Sequence, residues 1–373
     1  MIYKIKTIIF IPPNGILKKH DFSLERIVKS LKDNKLIKSI LIYKENHQDK
    51  RALKYFDNVI QIKSEKELFK KISHIDYDII FSRSWMHAYS FSAKLVKKFD
   101  NVIVNIKDWN FSTKEEYKFL FKNNNDFNAI KYIFKNAKYI LSHYTKEQAK
   151  IWSKKYNVNK DKFIFFPEFC NKENFINNKI FYSDTVKIVY AGQIKPSNST
   201  EKLFPAKSHL RSIDILSKQG INIDFVLPES NYNYVIKNQK SFEDFLYEKE
   251  FNNKFNLKKG KNIDASVLNQ YHFGFFEIET SGKNKELYNY AIVSKFALYL
   301  EAGLPMLVNK DFKSISSIVI NNKLGIVFSN NDIQNLSKLL SISNKRYKKF
   351  IKNIEQYRIN FSYKNQIKDI LNG

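Results

Sequence analysis

The chain has 373 residues, of which 43% are hydrophobic and 27% charged, and its 64 Lys and Arg against 37 Asp and Glu give a formal net charge of +27. That length exceeds what one core usually supports, so two domains are expected; no apolar run approaches the roughly 20 residues of a bilayer-spanning helix; and a lone Cys170 excludes an internal disulfide and fits a reducing compartment. The charge favours anionic partners, namely nucleotide diphosphates, acidic lipid or nucleic acid, while the abundance of Lys, Asn, Ile, Phe and Tyr also fits the coding bias of an AT-rich genome.

Lys6 to Ile11 predicts a first buried strand, ended by Pro12-Pro13 and an Asn14-Gly15 turn. With its basic start this stretch is too short for a signal-peptide core, which points to the cytoplasm. Leu24, Ile27, Val28 and Leu31 recur at helical spacing and predict a helix from about Ser23 to Leu36, followed by a strand from Ile37 to Tyr43. Further strands are expected at Asn58–Ile62, Asp78–Ser82, Asn101–Ile106 and Lys138–Ser142, separated by helical segments such as Ala88–Lys98 and Thr145–Tyr156. Such alternation implies a parallel sheet covered on both faces. Past a linker of about Asn171 to Asp184, VKIVYAGQI opens a second alternating set, with a helix around Ser208 to Gln219 and strands at Asn222–Leu227 and His272–Phe276. The expected divisions are residues 1–178, residues 185–344, and a final helical segment, 345–373, returning to the N-terminal domain.

The segment SKFALYLEAGLP, Ser294 to Pro305, organises the second set. Ser294 is placed to act as an N-cap, good helix formers follow for about two turns, Gly303 supplies a left-handed C′ residue and Pro305 forbids continuation. Met306 to Val308 then reads as a buried strand. Lys295 lies in the first helical turn, where the macrodipole disfavours a cation unless an anion joins it; the alternative is a solvated lysine whose stem covers Tyr299.

Lys295, Tyr299, Leu300, Ala302, Gly303, Pro305 and Gly325 match in order and spacing the donor motif of GT-B-fold glycosyltransferases of the family 4 type, and the preceding IETSGKNKELYNYAIVSK is similar to the corresponding loop of bacterial galactofuranosyltransferase-like enzymes. AKYILSHYTKEQAKIWSKKYNVNKDKFIFFPEFCNKENF resembles the end of the N-terminal domain of that fold, through Ser142, Pro167 and Phe175, with Glu168-Phe169 where Asn-Gly is usual. The resemblance implies an α/β protein of two Rossmann-like domains whose parallel sheets face an interdomain cleft, the C-terminal one holding a nucleotide-sugar donor and the N-terminal one a glycan or lipid-linked acceptor. It places Gly192, Lys195, Ser281, Gly282, Ser294, Lys295 and Tyr299 on the donor side. Leu298 stands where many members carry a glutamate and Gln193 where an arginine is usual; these departures support an alternative, a catalytically silent subunit that binds a partner transferase.

On the acceptor side, Asn14 and Gly15 form either a ligand-approaching turn or an ordinary one. Asp108, after a strand and before Trp109, is the candidate general base, with His87 and His143 as alternatives. Glu277, Glu279 and Thr280 share the loop of Ser281 and Gly282. No metal-ligand spacing, Walker motif, GxGxxG or DxD element occurs, so metal-independent transfer without a cofactor is expected. No nucleic-acid module is recognisable. The Lys- and aromatic-rich stretch from Lys345 to Lys364 is either a closing helix or a contact with an anionic membrane surface, which would place the protein peripherally on the inner face of the membrane.

Overall fold

A computed structural model describes residues 5–17, 22–33, 37–44, 51–85, 87–107, 109, 125–177, 186–196, 209–221, 223–250, 253–260, 263–277 and 288–366. The chain divides into two compact units at Glu168/Phe169, and from Tyr363 onward it clusters with the first.

In the first unit the strands are β1 (Lys6–Ile11), β2 (Ile37–Lys44), β3 (Asn58–Ile62), β4 (Ile79–Ser84), β5 (Val102–Ile106), β6 (Tyr139–Ser142) and β7 (Phe163–Phe165). They form one sheet in the order β3-β2-β1-β4-β5-β6-β7, and every neighbouring pair is parallel. The central strands β4 and β5 are buried along their whole length, because helices cover both faces and leave no side for polar residues. The helices are α1 (Phe22–Asp33), α2 (Glu65–Ile72), α3 (Tyr89–Lys98), α4 (Asn125–Asn136) and α5 (Lys146–Tyr156).

The second unit repeats the plan. Its strands β8 (Ile188–Ala191), β9 (Ile223–Pro228), β10 (Phe255–Gly260), β11 (Phe273–Phe276), β12 (Met306–Asn309) and β13 (Gly325–Phe328) run parallel in the order β10-β9-β8-β11-β12-β13. Its helices are α6 (Leu210–Ser217), α7 (Glu229–Lys237), α8 (Glu243–Glu250), α9 (Ala265–Leu268), α10 (Ser294–Glu301), α11 (Lys313–Asn322), α12 (Leu336–Leu340) and α13 (Asn344–Asn360). The predicted strands and helices therefore recur with boundary shifts of a few residues.

One difference is larger. The last helix is interrupted after Asn360, because the Cys170 N–H donates to the Phe361 carbonyl at 3.0 Å and Ser362 bridges to Cys170, which draws the backbone out of helix; residues 363–366 are helical again, and the expected continuation toward Leu371 lies outside the described residues. The aromatic stripe of α13 is core: Tyr347 and Phe350 belong to the hydrophobic cluster of the second unit, and the Tyr347 hydroxyl donates to the His272 carbonyl at 2.9 Å. Arg358, 4% exposed, donates through Nη1 to the carbonyls of Ile176 at 2.8 Å, Glu301 at 3.1 Å and Leu300 at 3.4 Å, and through Nη2 to Asn177 Oδ1 at 2.8 Å. It thus adds a charged donor to the Leu300 and Glu301 carbonyls at the end of α10, which also accept the Gly303 N–H at 3.0 Å and the Ile176 N–H at 2.9 Å. The fully buried Glu301 accepts the Asn171 N–H at 2.6 Å and the Asn174 side-chain amide at 3.3 Å. Arg358→Ala is expected to cost about 3 kcal/mol in urea unfolding, since it removes the charge-assisted hydrogen bonds to these carbonyls and to Asn177 and takes a cation away from the buried Glu301.

Candidate functional site

In an open parallel sheet, ligands bind beyond the carboxyl ends of the strands where the strand order reverses. In the second unit that point lies between β8 and β11. After β8 comes Gly192, after β11 comes Glu277, and α10 begins at Ser294. The residue flanking α10 is Val293, extended at φ −77° and ψ 152°, with no side-chain cap. Ser294 is the first helical residue and exposed, so the expected Ser294 cap is not formed and the first-turn N–H groups of α10 receive nothing from it.

Lys295 is half-buried as a residue, but its ammonium lies 3.7 Å from the centroid of the Tyr190 ring and 5.9 Å from that of Phe276. A β-carbon at Gly192 would stand 3.6 Å from Lys295 Nζ, so the glycine backbone also borders it. Burial brings the Lys295 pKa down to about 7, despite the aromatic faces that favour a cation. His209, 2% exposed, meets the Tyr190 ring edge-on at 4.6 Å. Burial and then the charge of Lys295 lower its pKa to about 3, so it is neutral, and its Nε2 is buried with no hydrogen-bond partner.

Tyr299 sits beneath this point rather than at it. It is fully buried; its hydroxyl accepts the Ala191 N–H at 3.0 Å and donates to the Val189 carbonyl at 3.1 Å, with the Phe275 carbonyl at 3.4 Å. The side chain ties β8 to β11 and leaves no polar atom for a ligand. Its ring also rests on Gly274, where a β-carbon would be 2.5 Å from Cδ2. Lys195 is half-buried three residues past Gly192, and Gln193 is exposed. Ile194 between them is clamped by Asn231, which accepts its N–H at 2.9 Å and donates to its carbonyl at 3.0 Å.

Glu277 carries a second perturbed group. The carboxyl is 6% exposed and accepts the Ser212 hydroxyl at 3.1 Å and the Asn309 amide at 2.6 Å. Burial raises its pKa to about 7, helped by Asp311 and opposed by these two donors and Arg211. The Asn309 amide also donates to Asn330 Oδ1 at 2.7 Å, so the ends of β11, β12 and β13 share one polar network. Ser281, Gly282, Glu279 and Thr280 lie outside the described residues. Sequence reasoning missed Tyr190, His209 and Phe276; strand parity places Tyr190 two residues before Gly192, but only the fold brings it over Lys295.

In the first unit, Asn14 has φ 55° and Gly15 φ 68°, a left-handed pair that closes β1 and suits these residue types. The Asn14 amide donates to the His87 carbonyl at 3.0 Å. Gly15 is buried, with Leu68 Cδ1 at 3.3 Å from where a β-carbon would be, so it serves packing. His87 is exposed. His143 has its Nδ1 buried without a partner, and burial, then Lys107, lower its pKa to about 3; it is a weak base at neutral pH. Asp108 lies outside the described residues. Its neighbour Trp109 is fully buried, edge-on to Tyr89 at 5.4 Å, and Lys107 follows β5. Among the described residues no group of three or more His, Cys, Asp or Glu is placed to hold a metal ion, and no helix is long and apolar enough to cross a membrane.

The architecture is shared with solved structures. The chain is similar to the N-terminal domain of Candida albicans trehalose-6-phosphate phosphatase, at 12% identity over 100% of this chain and 98% of that one, TM-score 0.64. It is similar to Anabaena HepE in complex with UDP-glucose, at 12% identity over 98% and 99%, TM-score 0.62, and to a glycosyltransferase from Rickettsia africae, at 14% identity over 99% and 97%, TM-score 0.62. Two Rossmann-like domains with parallel sheets define the GT-B fold, and this chain has it. Residues 227–372 match the family described as Glucosyltransferase 3-like, C-terminal domain. No curated protein matches the chain.

Proposed function

We propose that the chain is a glycosyltransferase that moves a sugar from a nucleotide-sugar donor to a glycan or lipid-linked acceptor. The observation that carries this reading is the Lys295 ammonium, enclosed by Tyr190 and Phe276 at the start of α10 and beside the carboxyl end of β8. A diphosphate arriving there meets both the ammonium and the N-terminal end of the helix, and both act more strongly as charge grows on the leaving group. The family match over residues 227–372 and the UDP-glucose complex of the structurally similar Anabaena protein support the same donor class, and the motif around Lys295 is read as that of family 4-type and galactofuranosyltransferase-like enzymes. Lys195 and the loop of Ser281 and Gly282 complete the donor side. Transfer is metal-independent in this reading, since lysine and helix supply the positive charge. The setting is bacterial surface polysaccharide synthesis in the cytoplasm, peripheral on the inner face of the membrane.

The direct test is calorimetric titration with UDP-, GDP-, CMP- and TDP-sugars, followed by release of the nucleotide, a nucleoside diphosphate or, from the CMP-sugar, CMP, with and without EDTA. Binding of one donor and slow, EDTA-insensitive release are expected; no binding across the panel overturns the donor site. Binding without turnover in the presence of acceptors would favour a catalytically silent subunit, the reading to which Gln193 and Leu298 point.

Asp108 remains the proposed base. Its flanking residues are held at the carboxyl edge of β5 by the Lys107 N–H on the Ser84 carbonyl at 3.0 Å and by the buried Trp109, whereas the low basicity of His143 argues against that alternative. Asp108→Asn is expected to lower the transfer rate by a factor of about 100 or more with donor affinity unchanged, the range of general-base contributions. A rate within a few-fold of the parent removes it from the mechanism.

A further inference from the structure

The carboxyl edge of the first sheet holds a charged cluster that the donor reading does not use. Arg83, the penultimate residue of β4, is in register with Asn105 on β5, and Lys107 follows two residues later, so the pleat sets all three on one face. Lys107 Nζ donates to Ser23 Oγ at 3.1 Å, and Ser23 in turn donates to Glu168 at 3.3 Å. Arg26, on the next turn of α1, lies 3.6 Å from Glu168, and Lys107 Nζ lies 3.9 Å from it. Arg83 is only 2% exposed. Burial alone would raise the Glu168 pKa, yet Lys107, Arg26 and Arg83 together hold it below the usual range.

Two cations, Arg26 and Lys107, therefore lie within 4 Å of one carboxylate, and the charge of the buried Arg83 also acts on it. Cations gathered this closely repel one another, and a ligand with two negative charges would relieve that repulsion. Guanidinium groups in particular suit phosphate oxygens, which they meet two at a time. The location adds weight, because the strand order reverses between β1 and β4, and the cluster is built from the end of β4, the residue after β5 and the start of α1, which are the positions where ligands sit in such sheets.

We propose that this edge of the first unit is an anion site that takes the phosphate or diphosphate group of the acceptor, held by Arg83, Lys107 and Arg26 with Ser23. That the ligand is the acceptor rests on the glycosyltransferase reading above; that the site takes a diphosphate does not. Lipid-borne and free diphosphate share this chemistry and are told apart by experiment.

Titration calorimetry with geranyl diphosphate, inorganic pyrophosphate and uncharged geraniol tests it, using the full chain in parent and Lys295→Met forms so that binding at the donor site is weakened in one of them. Geranyl diphosphate is expected to bind at least tenfold more tightly than geraniol in both forms, and Arg83→Gln to weaken it at least tenfold while UDP affinity stays within twofold. A further preference over pyrophosphate of tenfold or more assigns the site to a lipid-borne group; parity with pyrophosphate assigns it to a phosphate on a soluble acceptor, and either supports an anion site. Should Arg83→Gln fail to fold, Lys107→Gln and Arg26→Gln, at less buried positions, give the same reading. Geraniol binding as tightly as geranyl diphosphate, or folded variants that bind it like the parent, overturns the proposal. If UDP does not bind while geranyl diphosphate does, the donor reading fails and the anion site stands.

Discussion

Lys295→Met is expected to weaken UDP affinity by about tenfold to a hundredfold, the worth of one charge-assisted contact to phosphate, and to slow transfer as well, because the same ammonium meets the leaving diphosphate. The variant should nevertheless be the more stable protein at neutral and lower pH. Burial lowers the Lys295 pKa from 10.5 to about 7, so between those values the unfolded chain binds more protons than the folded one, and stability rises with pH across that window. Below about pH 7 the penalty for charging Lys295 is fully present, and above 10.5 it is gone. The stability gain of Lys295→Met should therefore be largest below pH 7 and shrink as the pH rises, which urea unfolding at pH 6, 8 and 10 would measure. Diphosphate binding carries the opposite slope: it needs the ammonium, so above about pH 7 it must take up a proton, and parent affinity for UDP falls while that of Lys295→Met does not share the slope. A variant with parent-like affinity and no change in pH dependence would place the donor elsewhere.

The position of Lys295 was legible in the sequence, and its surroundings were not. A cation in the first turn of a helix contradicts the helix dipole locally, and such a contradiction survives in a single segment of sequence. What makes the lysine unusual is the pair of aromatic faces from Tyr190 and Phe276 and the neutral His209, which come from β8, β11 and the start of α6 and meet only once the sheet forms. The strands were legible for a related reason: a parallel strand buried on both faces is a short apolar run, and the runs at Lys6–Ile11 and Ile37–Tyr43 match β1 and nearly all of β2, whereas β3, at the sheet edge and mostly exposed, has its predicted range without that burial. Helix ends were less so. Ser294 has the chemistry of a cap, yet the helix begins on it, one residue earlier than a cap would allow, and the last helix is interrupted at Phe361 and Ser362 by a bridge to Cys170, far away in sequence. Glu168 was visible as a departure from the family pattern, but its meaning depends on Arg26, Arg83 and Lys107, which no local pattern connects to it.

The same distinction applies to the glycine of the donor motif. Gly325→Ala is expected to cost at least about 3 kcal/mol and to unfold much of the second unit at moderate temperature, a larger loss than ordinary overpacking brings. Gly325 opens β13 opposite Met306, and a β-carbon there would lie 2.0 Å from the Met306 carbonyl oxygen and 2.6 Å from its nitrogen. These are backbone atoms of β12 and cannot turn aside as a side-chain tip could, so the two strands must part. Their separation would break the register that holds Asn309 at the end of β12 against Asn330, just past β13. Glycine in the motif thus acts on strand pairing, and Tyr299 does the same between β8 and β11; of the motif residues placed by the structure, Lys295 is the one with a group to offer a ligand. Urea unfolding of Gly325→Ala, followed by UDP titration of whatever remains folded, separates the two roles. A large loss of stability with parent-like UDP affinity in the folded fraction is the expected result, whereas a variant of unchanged stability that binds UDP poorly would make Gly325 a ligand contact and overturn the packing account.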